Sequence, residues 1–354
     1  MPTVAELVEI LAVMTRADKA AGWDPVGLQV GDPGQEVRRV AVCHEVTESV
    51  TDRLVADMPD LVVSYHPLLF RPTTRFVFGA TPGGRAWRLV RAGMSLVVSH
   101  TDFDALPGGT ADALAEALGL TDCVRFGPVV GSDQSKVVTF APADSVEKIT
   151  SAMAAAGAGR IGNYDRCSFR SLGEGAFKAG SGTTPVTGAA GAFSVESEVR
   201  VEMLTPRSHL EGVLAALVGA HPYEEPAFDV YEVVSSHGFI GRVGSFQGTV
   251  GDLADLAGDE LGRTGLRVAG DTDRIVAKVA VVPGSGASFV ESAARAGADA
   301  LVTGDVGHHR ATSAVDAGVA IVDPGHVATE RPGMRKLVEL VTSLGLETTD
   351  LTGA

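Results

Sequence analysis

Four short apolar runs in this chain each end at a histidine, a carboxylate or both. Leu61-Val-Val-Ser-Tyr-His-Pro-Leu-Leu-Phe70 brings the chain to His66, and Pro67 then stops a strand because it has no ladder donor. Ser95-Leu-Val-Val-Ser-His100 leads into Thr101-Asp102-Phe103-Asp104. Asp299-Ala-Leu-Val-Thr303 leads into Gly304-Asp305-Val306-Gly307-His308, and Val319-Ala-Ile-Val-Asp323 into Pro324-Gly325-His326-Val327-Ala328-Thr329-Glu330. Open α/β sheets bind their ligands beyond the carboxyl ends of their strands, so four such ends can converge on one crevice. His66, Asp104, His326 and Glu330 are the candidate metal ligands. Two imidazoles and two carboxylates suit a borderline divalent ion: Zn²⁺, Mn²⁺, Fe²⁺, Co²⁺ or Ni²⁺. Their spacing matches no compact zinc motif, and a lone strand-end histidine is more often a hydrogen-bonded rim residue. Four such clusters leave a metal site and ordinary rim residues as equal readings of the spacing.

The elements that must hold these ends follow from the apolar pattern. Thr3 and Glu6 make a capping box before a helix with the stripe Leu7, Ile10, Leu11 and Met14. Trp23 to Asp32 reads as a Gly/Pro-punctuated loop, Val40 to Cys43 as the first core strand, and Ser49 to Asp57 as a helix. Trp87 to Ala92 and Asp112 to Leu118 are further helices, with Gly93 as the stop of the first. Strand and helix in alternation predict an α/β fold with a mainly parallel sheet. On the approach to Glu330, Thr329 is a candidate cap that leaves His326 in the loop before the helix.

The character changes near residue 130. Strands at Lys136–Phe140, Cys167–Phe169, Glu198–Leu204 and Phe228–Val234 surround helices at Ser145–Ala156 and Leu210–Val218. This β-α-β-β-α-β order predicts an inserted ferredoxin-like α+β domain. Ser235-Ser236-His237-Gly238 serves as the exit linker, and the α/β pattern resumes through Val276–Val282. The expected organisation is 1–129 and 239–354 as one discontinuous α/β unit, with 130–238 inserted.

Composition narrows the classes of function. A 354-residue chain should hold two or three domains. A net charge of −15 argues against nucleic acid as a partner, because phosphate binding rests on Lys and Arg. Three dispersed cysteines (Cys43, Cys123, Cys167) fit reduced thiols. With neither a leader pattern nor a long apolar run, the expectation is a cytoplasmic protein without membrane contact.

Five motifs, taken together, resemble the NIF-three-like dinuclear-metal family, whose members are often labelled GTP cyclohydrolase 1 type 2 homologues. They are Trp23-Asp24 with Val26-Gly27-Leu28, His66-Pro67-Leu68, His100-Thr101 with Asp104-Ala105, Thr303-Gly304-Asp305 with His308, and Gly325-His326 with Glu330. Gly157–Asp165 and His221-Pro-Tyr-Glu-Glu-Pro226 resemble the extra domain of its longer bacterial members. The resemblance implies two metal ions bridged by Glu330, a hydrolytic activity of unassigned substrate, and a ring-shaped homohexamer. The alternative class is a metal-binding or regulatory assembly without catalysis.

The chain departs from that pattern in three places. The family has two consecutive histidines before the proline, and here the first is Tyr65. A phenol with a pKa of about 10 is a poor ligand unless a metal deprotonates it, so one tightly held ion and a weaker second are expected. His44 stands where the family has Leu; it either restores the lost imidazole or lies on the rim. Asp102 replaces the usual Asn and either adds charge near the metals or is a solvated loop carboxylate. His100, Asp305 and His308 are candidates for contacts behind the ligands, with Asp305 otherwise a helix cap and His308 a surface residue. Val282–Ser288 is a Gly/Ser turn that either receives an anion or simply closes the loop. His221, Glu224 and Glu225 offer a second metal site or a shaped turn.

Overall fold

A computed structural model of the chain describes residues 1–131, 134–161, 164–233 and 236–354. The early strands are β1 (Gly27–Val30), β2 (Arg39–Cys43), β3 (Leu61–Ser64), β4 (Ser95–Val98) and β5 (Thr121–Gly131). Four more follow: β6 (Gln134–Ala141), β7 (Phe169–Lys178), β8 (Phe193–Pro206) and β9 (Phe228–Val233). The last six are β10 (Ser236–Thr249), β11 (Arg267–Ala269), β12 (Ile275–Val281), β13 (Ala300–Val302), β14 (Ala320–Asp323) and β15 (Glu347–Asp350). The chain divides into two compact units, Met1–Gly131 with Ser236–Ala354, and Ser132–Ser235.

The first unit holds two sheets. One runs β1-β4-β3-β2-β15, and the other β11-β14-β13-β12-β10-β5. Their centres are parallel, whereas β1, β11, β10 and β5 join antiparallel. The expected mainly parallel sheet is therefore two mixed sheets. Strands buried on both faces need apolar residues throughout, and β3 meets that with Leu61, Val62 and Val63 all at 0% exposure. Val40, Val42, Leu61 and Val63 face helices Val4–Met14 and His326–Thr342. Ala41 and Val62 face the opposite way, onto helices Glu48–Asp57 and Pro82–Arg91.

Helix His326–Thr342 decides where the site lies. It starts three residues after β14, in the second sheet, and packs Met334, Leu337 and Val341 on the first sheet. Its opening turns therefore bridge the strand ends of both sheets. It begins at His326, not at Thr329 as the sequence suggested; Gly325 is its N-cap, at φ 101°. Pro332 resembles a first-turn residue but sits inside the helix. His326 and Glu330 consequently share one helical face, four residues apart.

Two further expectations change. The Trp23–Asp32 loop contains β1, which pairs with β4 as an edge strand. Ser236–Gly238 is the start of β10 and not a linker; Ser235 lies outside the described residues.

The second unit has a four-stranded antiparallel sheet, β7-β8-β6-β9, with helices Val146–Ala155 and Leu210–Ala220 packed on its core face. In the first unit, Gly131 on β5 and Ser236 on β10 are direct antiparallel partners. Replacing 132–235 with a two-residue Asn-Gly turn, the loop that suits an antiparallel hairpin, should leave the first unit folded and able to take up whatever metal the full chain takes up. Calorimetric titration of the folded deletion variant checks this, and loss of all metal binding would count against a self-sufficient first unit.

Candidate metal centre

Glu330 is 2% exposed and lies among three imidazoles. Its Oε2 is 2.7 Å from His44 Nε2 and 3.1 Å from His66 Nε2. Its Oε1 is 3.0 Å from His326 Nε2. The ligand atoms of His44, His66 and Glu330 all lie within 4.8 Å of one another. Burial alone would raise the Glu330 carboxyl pKa, but hydrogen bonds from His326, His44 and His66 outweigh it and hold the group far below the usual carboxylate range. Gly284 at φ +64° packs beside Glu330 and His326; a Cβ there would meet Glu330 Oε1 at 2.5 Å, so a side chain would strain the backbone and displace the carboxylate.

His44 was read as either a compensating imidazole or a rim residue, and the structure puts it in the cluster. β2 and β3 run parallel with Cys43 opposite Ser64, and the ladder continues as Tyr65 N–H donates to Cys43 O and His66 N–H to His44 O. Facing positions on parallel strands project to the same side. His44 and Tyr65 accordingly stack, with ring centroids 5.7 Å apart and planes 15° apart.

Tyr65 and Asp104 form a separate pair. Tyr65 is fully buried and donates its O–H to Asp104 Oδ1 at 2.5 Å. Burial, with Asp104 and Glu330 nearby, raises the phenol well above its ordinary pKa and keeps it neutral. Burial also lifts the Asp104 carboxyl to about 7. The structure thus gathers His66, His326 and Glu330 together and leaves Asp104 on the cavity wall, hydrogen-bonded to Tyr65.

The surrounding groups orient the imidazoles. His326 Nδ1 lies 2.7 Å from Asp305 Oδ2, which leaves Nε2 directed at Glu330. Asp305 adopts φ 57°, a left-handed conformation that Asp tolerates. It does not cap the following helix, whose N-cap is Gly307. His308 is exposed and meets the His309 ring edge-on. His100 Nδ1 is 3.0 Å from both oxygens of Asp24, and Thr101 donates to Asp24 through its N–H and its Oγ1. Burial lowers the His100 pKa, yet the Asp24 carboxylate more than reverses this and raises it overall. Asp24 was missed as a functional residue; its place in Trp23-Asp24, beside the site motifs, was the available signal.

Asp102 is not the solvated loop carboxylate. It is 2% exposed and accepts from His100 N–H at 2.6 Å and from Ser99 Oγ, which closes its own turn. In the Val282–Ser288 turn, Gly284 N–H donates to Thr329 Oγ1 and Gly286 N–H to Thr303 Oγ1. Those two donors are satisfied internally, so the turn closes the loop. In the second unit His221 binds Phe140 O and accepts from Tyr223 N–H, while Glu224 accepts from Thr184 N–H. These contacts define a shaped turn, not a metal site.

The cluster floors a cavity of about 610 Å³ whose walls include Trp23, Phe70, Phe289 and Pro283. In the metal-free protein, hydrogen bonding to Glu330 and then Asp305 raises the His326 pKa to about 9. That stabilisation is full below the ordinary histidine value of about 6.5 and is lost as pH rises through about 9. Thermal melts in chelator should therefore show stability falling over this window, and His326→Gln should flatten the slope. An equal slope in that variant would reject the assignment.

These observations define a mixed α/β protein with a histidine–carboxylate centre at converging strand ends. The chain belongs to the Duf34/NIF3 (NGG1p interacting factor 3) family, whose model matches residues 2–351. It is 34% identical over 328 residues to the GTP cyclohydrolase 1 type 2 homolog of Bacillus subtilis, covering 91% of this chain and 88% of that protein. It is 37% identical over 348 residues to the protein of that name from Mycobacterium tuberculosis, covering 96% and 91%. The crystal structure of a Bacillus cereus protein related to NIF3 aligns with TM-score 0.62 at 34% identity, covering 99% of this chain and 96% of that one. Among the described residues no helix is long and apolar enough to cross a membrane.

Proposed function

We propose that this chain is a metal-dependent hydrolase of unassigned substrate. The observation that supports it most is the buried Glu330 carboxylate among imidazoles at the floor of an open cavity. This donor set suits Zn²⁺, Mn²⁺, Fe²⁺, Co²⁺ or Ni²⁺, with Glu330, His66 and His326 as holders. Such an ion supplies Lewis acidity and an acidified water nucleophile. Asp305 fixes the His326 ring so that Nε2 faces inward. His100, held at Nδ1 by Asp24, lines the cavity and would donate a proton from Nε2 to a leaving group there. Trp23, Phe70 and Phe289 give the cavity an apolar wall beside the cluster.

The relatives' cyclohydrolase name is consistent with this reaction class, though no residue here selects GTP. Metal-loaded protein should be assayed against nucleotides, phosphodiesters and cyclic amidines. Hydrolysis that disappears in Glu330→Ala, with assembly intact, supports the enzyme. A second reading, a non-enzymatic metal-binding or regulatory assembly, draws on the ferredoxin-like unit's own cavity of about 540 Å³, beside Phe140, Phe177 and Tyr223. Absence of turnover throughout the panel favours it.

Assembly as a homohexamer is part of the same proposal. Phe76, Val77 and Phe78 are 49%, 66% and 72% exposed, a run that a partner subunit would cover. Multi-angle light scattering at micromolar concentration should return a species larger than a dimer; a monomer rejects this.

A further inference from the structure

We propose that His44 is a metal ligand of this chain, replacing the histidine that the resemblance places where Tyr65 lies. One ion is then held by His44, His66 and Glu330. The inference builds on the metal-centre reading above.

Three observations carry it. First, His44 and His66 both direct Nε2 at Glu330 Oε2, and their ligand atoms fall within 4.8 Å of one another. Second, the parallel register makes His44 the direct neighbour of Tyr65 on the same side of the sheet. An imidazole removed from the end of β3 is thus recovered at the end of β2. Third, Tyr65 is committed elsewhere: its O–H is given to Asp104, and the ring is fully buried. The resulting set of two imidazoles and one carboxylate leaves coordination positions open, as hydrolytic and oxygenase metal sites require. His326 faces the other Glu330 oxygen, so among the described residues that side pairs one imidazole with the shared carboxylate.

Zn²⁺ titrated calorimetrically into the chelator-stripped full chain should give near one tight ion per chain. His44→Ala should weaken binding by at least about 100-fold, the upper end of what losing a mere orienting partner costs. The double variant His44→Ala/Tyr65→His, which returns the imidazole to β3, should recover much of that loss. Exchange of histidine C2 hydrogens in the wild type, read by mass spectrometry, gives a measure independent of variant folding. Zn²⁺ should slow it at His44. Wild-type affinity in folded His44→Ala, or an unchanged His44 exchange rate on Zn²⁺ binding, overturns the inference alone. A wild-type chain that takes up no Zn²⁺ overturns it together with the metal-centre reading.

Discussion

Glu330→Gln should abolish tight metal binding, weakening it by more than about 1000-fold, or roughly 4 kcal/mol. Glu330 is the one group that all three imidazoles share, with two on Oε2 and one on Oε1. The amide keeps the shape but removes the charge, and its nitrogen would donate towards rings that already point their Nε2 atoms inward. The metal-free fold should weaken as well. A carboxylate held far below its usual pKa contributes stability above the unfolded value of about 4.3 and loses it as pH falls. At pH 7 that contribution is fully present, so Glu330→Gln should lower the midpoint of thermal unfolding in chelator. Calorimetric titration and melts read the two effects separately. Retained metal affinity would show that the ion is held elsewhere.

Much of this centre was legible because its residues end apolar strands. His66, His326 and Glu330 follow runs whose burial on both faces forces an uninterrupted apolar sequence, and such runs mark strand ends clearly. His44 was harder to place. Its strand is equally apolar, but membership of the cluster depends on which strand lies beside β3 and in what register, a non-local fact. Asp24 and Asp102 were obscured for a related reason. One sits in an irregular segment and the other in a turn of five helical residues, where no periodicity reports which way a side chain points. In the second unit the Cys167–Phe169 run meets β7 only at Phe169, and Glu198–Leu204 lies at the end of β8 that holds its buried residues, because β7 and the first residues of β8 bury no residue fully. The start of the last helix was misplaced because Thr329 reads as a cap, whereas its hydroxyl bonds back to His326 O inside the helix.

Tyr65→His should raise the bound ion from near one towards two per chain. Among the described residues, His326 is the imidazole beside Glu330 Oε1, held from behind by Asp305. Water can complete such a site, but it adds less binding energy than a protein ligand already fixed in place. The substitution adds an imidazole at the end of β3 and also removes the O–H that Asp104 accepts, which frees that carboxylate to bind a cation. His44 remains on Oε2, so the first ion keeps its ligands. The exchange carries a packing cost, since Tyr65 is fully buried against core residues of the first sheet. A smaller, more polar ring there should lower stability by about 1–3 kcal/mol, within reach of a cooperatively folded unit. Metal analysis after mild chelation decides the outcome. Two equally retained ions in the wild type would show that Tyr65 imposes no deficit, and a single ion in folded Tyr65→His would show that ligand number at this strand end does not limit occupancy.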